Sequence, residues 1–223
     1  MFMPDFTHTA VEERTLDVRV ANFTLEATLA LPRGAAGLVV LAGGSGRHHH
    51  NTRFVAAALR EGGLATLLLD LLTPAEEAMD QRHIEFRADI ALLASRLTAA
   101  SEWLGHFPDT RRLRLGYFAD GATAAGALVA AAARPELVSA IAARAGRPDL
   151  AGPALARVRA PTLLLVGGAD APLIAANREA FMALPGDKRL DLIPDASRDF
   201  EEPGALELMT QRAREWFEQY LLT

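Results

Sequence analysis

Half of the chain's six histidines stand in one run, His48-His49-His50, directly after a Gly43-Gly44-Ser45-Gly46 segment. Imidazoles titrate near neutrality, so such a run offers a general base, a clamp for a substrate or ligands for a metal. Adjacent side chains rarely converge on one ion, and no further histidine or acid stands at ligand spacing, so no metal site is expected here. A second candidate is Asp120, which immediately precedes Gly121 and an alanine-rich segment. Its carboxylate is suited to general acid–base work or to nucleophilic attack, and equally to capping the helix that follows. The chain has no cysteine, which excludes thiolate catalysis and disulfides. Lys188, the one lysine among 23 basic residues, is the only possible Schiff-base amine, and its Gly186-Asp187-Lys188-Arg189 setting reads as a turn.

These residues need a scaffold, and composition bounds it. A chain of 223 residues that is 50% hydrophobic and 23% charged buries one substantial core, so a single domain over 1–223 is expected. The net charge of −5 gives no electrostatic reason to expect nucleic acid or an anionic membrane as a partner. A small organic molecule is the expected partner. The N-terminal residues do not form a basic stretch followed by an apolar one, and no apolar run is long enough to span a bilayer, so a cytoplasmic location is expected.

Two kinds of hydrophobic pattern follow one another along the chain. Leu16, Val18 and Val20, then Phe23, Leu25, Ala27, Leu29 and Leu31, alternate with polar or small residues, the period of half-buried antiparallel strands. Later apolar runs at 38–41, 64–69, 113–118, 137–142, 161–166 and 189–193 are short and continuous, as in parallel strands buried on both faces. Helical patterns lie between them at about 51–62, 79–106, 121–134, 172–184 and 203–222. Alternation of this kind implies right-handed crossovers, hence an α/β fold with a mainly parallel central sheet, antiparallel N-terminal strands and helices on both faces. Ligands of such sheets bind at the carboxyl ends of the strands, which directs attention to 43–50, 70–73, 119–123, 143–149, 167–170 and 196–202. His83 and His106, in and at the end of the 79–106 segment, read as surface residues.

In order, these strand-end segments resemble the dienelactone-hydrolase branch of the α/β-hydrolases. The likeness runs through Leu41-Ala42-Gly43-Gly44-Ser45-Gly46, Asp70-Leu71-Leu72-Thr73, Gly116-Tyr117-Phe118-Ala119-Asp120-Gly121-Ala122-Thr123, Gly146-Arg147-Pro148-Asp149-Leu150, Val166-Gly167-Gly168-Ala169-Asp170 and the 196–204 segment. The resemblance implies a sharp strand-to-helix turn carrying a nucleophilic serine within Gly-x-Ser-x-Gly. Aligned without gaps from Gly116, the serine falls on Gly121 and its flanking glycines on Ala119 and Thr123. The relay histidine falls on Arg198 and the oxyanion-loop histidine on Gly43, while the acid, Asp170, is kept. Arginine stays protonated and cannot take a proton from a nucleophile, so triad hydrolysis is not expected. Glycine tolerates the strained turn, however, so the backbone of an anion hole would persist, formed by Gly43, Gly44, Ser45, Gly121 and Ala122. Asp170 is then left to pair with Arg198 or with a histidine of the 48–50 run, and Arg198 could hold a substrate carboxylate. Arg144 and Arg147, beside Asp149, read as shaping a loop.

The expected catalytic set is therefore Asp120, His48, His49, His50 and Asp170, with Gly43, Gly44, Ser45, Gly121, Ala122 and Arg198 binding a small carboxylate or lactone. Loss of the serine and histidine beside a retained acid and a new Asp120 points to non-hydrolytic acid–base chemistry of isomerase, lyase or cyclase type. Two alternatives stand beside it: a non-catalytic ligand-binding pseudo-hydrolase, and a hydrolase whose water is activated by Asp120 or a loop histidine. No organic cofactor is expected, because the 43–46 glycines do not form the Gly-x-Gly-x-x-Gly dinucleotide pattern.

Overall fold

The computed structural model describes residues 11–20, 23–43, 49–80 and 85–223. The alternating segments form β1 (Glu13–Val20) and β2 (Phe23–Ala30), paired antiparallel from Glu13↔Ala30 to Val20↔Phe23. Then come β3 (Gly37–Ala42), α1 (His50–Glu61), β4 (Ala65–Leu69), α2 (Pro74–Asp80) and α3 (Ile90–His106). The chain continues through β5 (Arg114–Asp120), α4 (Gly121–Ala133), β6 (Ala140–Arg144), β7 (Thr162–Gly167), α5 (Ala171–Ala183), β8 (Lys188–Ile193) and α6 (Ala205–Leu221). All eight strands join one sheet in the order β1-β2-β4-β3-β5-β6-β7-β8, parallel from β4 through β8. The fold expected from the sequence is the one observed. Among the described residues, no helix is long and apolar enough to cross a membrane.

The continuous apolar runs predict strands covered on both faces, and β3, β4 and β7 are buried at every position. Side chains alternate between two layers. Tyr117 and Ala119 face the layer that holds Leu93, Leu97 and Ala124 of α3 and α4. Phe118 faces the other, with Val55 and Leu59 of α1 and Met209 and Phe217 of α6. The alanines of α4 let it approach the sheet and α3 closely: a β-carbon on Gly126 would lie 2.9 Å from that of Leu93.

The segment at 79–106 departs from the single helix its periodicity suggests. It contains the end of α2, a 3-10 turn at Phe86–Ala88 and a fresh start at α3. Asp80 accepts hydrogen bonds from the backbone N–H groups of Glu85, Phe86 and Arg87, and the side chain of Asp89 caps α3 by accepting from Leu92. Short acidic side chains that bond locally to the backbone compete with helix continuation. A second 3-10 stretch, Pro148–Arg157, was not anticipated from the sequence; it is kinked at Gly152. Lys188 opens β8 and donates to the carbonyl of Leu184 at 2.5 Å, a structural use of its ammonium.

Candidate active site

Beyond the carboxyl ends of β3 and β4 lies a cavity of about 50 Å³, lined by Gly43, Asp70, Leu71, Asp80, Arg87 and, from α4, Thr123 among others. That is room for water or for one end of a small molecule. At its edge lies the turn from β5 into α4. Gly121 has φ +51°, in the left-handed region that favours glycine, and a β-carbon there would meet nothing within 4 Å. The chain thus makes a strained strand-to-helix turn whose apex points into open space.

Asp120, the last residue of β5, is half-buried. It stands at the N-cap position of α4, but its side chain makes no capping hydrogen bond. Instead the carboxylate is turned towards β3. A β-carbon on Gly43 would lie 2.5 Å from Oδ1 of Asp120 and 2.8 Å from its Cγ. The missing side chain at 43 is what lets the carboxylate lie there, so the two positions form a steric unit. Ala122 follows in the first turn of α4, half-buried.

Asp170 bonds through both oxygens. Oδ1 accepts from the backbone N–H of Leu173 at 3.0 Å, capping α5, and Oδ2 accepts from Nε of Arg198 at 3.1 Å. Of the two partners open to Asp170, the structure places Arg198 against it. Arg198 is largely exposed. His49 and His50 are exposed at the head of α1, and neither side chain caps the helix. Asn51 reaches the carbonyl of Asp199 at 3.5 Å, which sets the head of α1 beside the 196–202 loop. Gly44, Ser45, His48 and His83 lie outside the described residues. Arg147 is held by Asp149 at 2.6 Å and its N–H donates to the carbonyl of Gly121 at 2.9 Å, the loop-shaping role its sequence context suggested.

Sequence reasoning missed the polar wall after β4. Arg96 is buried, with terminal nitrogens that donate to Glu76 at 2.5 and 2.8 Å and to the carbonyl of Leu71 at 2.5 Å. The hydrogen bond from Arg96 holds Glu76 at about 2, well below the usual carboxylate range, against the opposing effect of burial. Asp80 is buried too; burial pushes its pKa up, but bonds from Arg87 and three backbone N–H groups outweigh this and hold it at about 2. A signal for Glu76 was present: Thr73-x-x-Glu76 is a capping box, and its reciprocal bonds form, at 2.8 Å from the Thr73 N–H to Glu76 and 3.3 Å in return. Among the described residues, no three acidic or histidine side chains converge as metal ligands would.

Eight strands in this order, with a strained turn at the head of β5 and an acid after β7, define an α/β-hydrolase fold. No family model matches the chain. The crystal structure of a dienelactone hydrolase from Anabaena variabilis is 51% identical and superposes with a TM-score of 0.93, covering 95% of this chain and 99% of that one. The chain belongs to the dienelactone-hydrolase family. A dienelactone hydrolase-like promiscuous phosphotriesterase from metagenomic libraries, 18% identical with a TM-score of 0.76 over 95% of this chain and 99% of its own, shares the fold. Proteins of two Mycobacterium tuberculosis strains, provisionally named phosphoribosyl transferases, are 47% identical over 196 residues. That match takes in 86% of this chain, which spans only 43% of those relatives.

Proposed function

We propose that the chain carries out acid–base chemistry on a small carbonyl compound, with Asp120 as the base. The observation that carries this reading is the carboxylate of Asp120, turned from its capping position onto Gly43, a residue that lines the cavity. A carboxylate so placed takes a proton from carbon α to a carbonyl; the C–H electron pair moves into the carbonyl to give an enolate. Returning that proton to a different carbon completes an isomerisation with no atom gained or lost. Asp170 takes no part in the proton transfer, because its two oxygens serve α5 and Arg198. Arg198 remains protonated and cannot serve as a base.

The cavity and the Anabaena relative favour a second reading, in which Asp120 takes the proton of a water that attacks a lactone carbonyl. Phosphoribosyl transfer is not proposed for this chain, since the span shared with the M. tuberculosis proteins is under half of their length. One experiment separates the readings: incubation with a dienelactone in D₂O, followed by ¹H NMR, for the native protein and Asp120→Asn. Isomerised or deuterated lactone that disappears in the variant supports carbon-acid chemistry. Ring-opened acid lost in the variant supports water activation. An unchanged spectrum, or equal rates in both proteins, rules out Asp120 as a base and leaves a ligand-binding role.

A further inference from the structure

Arg144 ends β6 and is 5% exposed, yet its side chain makes no hydrogen bond and no ion pair with any described residue. Its Nε is buried without a partner. The terminal nitrogens likewise bond to no described residue. The guanidinium lies over the ring of Phe200, its carbon 5.7 Å from the ring centroid. A buried guanidinium that lacks an anion is costly, and such a group in a folded chain calls for an explanation.

The backbone around Arg144 is built rather than loose. Ala145 has φ +44°, a conformation few alanines adopt, and its N–H donates to the carbonyl of Leu165 at 2.8 Å. Gly146 is pressed against Ala124 of α4 so closely that a β-carbon would collide with it, and its carbonyl accepts from Asn177 at 3.0 Å. Arg147 ties the same loop to the carbonyl of Gly121. This clamp fixes the end of β6 to the first turn of α4. It also fixes Arg144 beside Asp120, since the two are in-register partners of neighbouring parallel strands and so leave the same face of the sheet. Their side chains nevertheless diverge, the carboxylate towards Gly43 and the guanidinium towards Phe200, and no ion pair joins them.

We infer that Arg144 is the anion-binding residue of this site and that its ligand is a small organic carboxylate, held by the terminal nitrogens of the guanidinium. Guanidinium and carboxylate match as a two-point pair. A monoanion fits better than a phosphate dianion, because Asp120 on the adjacent strand repels each added negative charge. Placed so, the ligand brings its carbon skeleton towards Asp120, and this deepens the acid–base reading by naming the substrate as an organic acid.

The test is titration of the native protein, Arg144→Lys, Arg144→Met and Asp120→Asn with benzoate and with inorganic phosphate, by calorimetry and by amide shifts at 145–147. Saturable benzoate binding that shifts these amides is expected, weakened about tenfold or more in Arg144→Met and less in Arg144→Lys. Asp120→Asn keeps or gains benzoate affinity even where turnover is lost, so occupancy is read separately from catalysis. The inference is overturned by the absence of benzoate binding to the native protein, by equal affinity in Arg144→Met, or by shifts that map elsewhere. It is also overturned by phosphate binding tenfold more tightly than benzoate. Arg144→Lys supplies the comparison should Arg144→Met not fold.

Discussion

Two buried arginines, Arg96 and Arg144, share a setting and differ in their partners. Each lies over a phenylalanine ring, Phe23 at 4.6 Å and Phe200 at 5.7 Å, and each has a buried Nε without a hydrogen bond. The terminal nitrogens of Arg96 are engaged by Glu76 and by the carbonyl of Leu71, whereas those of Arg144 meet no acceptor among the described residues. A buried charge that the fold has matched is part of the scaffold. One that the fold has left unmatched, at a strand end beside a carboxylate, is suited to a ligand. Arg96 anchors the wall after β4; Arg144 presents its guanidinium at the site.

The largest effect expected from this contrast is on stability at the matched residue. Glu76→Ala removes the carboxylate that pairs with Arg96, leaves its terminal nitrogens only the Leu71 carbonyl and strands a buried charge, at a cost of roughly 3 kcal/mol. For a chain of this size that corresponds to a fall in thermal midpoint on the order of 10 °C. Arg96→Met strands only the partly exposed Glu76 and the Leu71 carbonyl, so it should cost less. Urea denaturation of the two variants gives the ranking, and the reverse order would contradict the role assigned to the pair.

A smaller effect is expected in acid. Folding lowers the Glu76 pKa from 4.5 to about 2, so the contribution of its ionised form is fully present above pH 4.5 and is lost as pH falls through about 2. Asp80 acts in the same direction, from 3.8 to about 2. The native protein should therefore lose stability between about pH 4.5 and 2, and Glu76→Gln should show a shallower decline across that window in pH-dependent thermal melts.

The difference between the two arginines also marks where the sequence could be read. The sheet was legible because burial on both faces leaves continuous apolar runs, and the acid Asp170 because its Gly-Gly-Ala-Asp setting recurs in a known family. The turn at Gly121 was legible from the same alignment, and its φ of +51° fits the glycine found there. The direction of Asp120 was not, since a carboxylate before a helix reads first as a cap. Its course towards Gly43 depends on a contact across 77 positions of sequence, visible only once β3 and β5 are paired. The 3-10 turn at Phe86–Ala88 was hidden by the helical periodicity of the residues around it. Arg144 read as a loop residue because the Gly146-Arg147-Pro148-Asp149-Leu150 segment beside it resembles the family's, and within that segment Arg147 does pair with Asp149. Nothing in one dimension separates an arginine with a neighbouring acid from an arginine whose neighbour's acid is already taken.

The smallest expected effect is at Arg144 itself, and it decides the comparison. If Arg144 were scaffold in the way Arg96 is, replacing it by methionine would remove a stabilising group, and the variant would melt well below the native protein. If its guanidinium serves a ligand, methionine keeps the contact with Phe200, removes a buried charge that no described acceptor offsets, and leaves stability unchanged within about 1 kcal/mol or raises it. The added ligand supplies the second half of the measurement. Millimolar benzoate should raise the midpoint of the native protein, because a ligand that binds only the folded state adds to its stability by mass action, and should leave that of Arg144→Met unmoved. A variant that is destabilised and still responds to benzoate would place Arg144 with Arg96, as part of the frame.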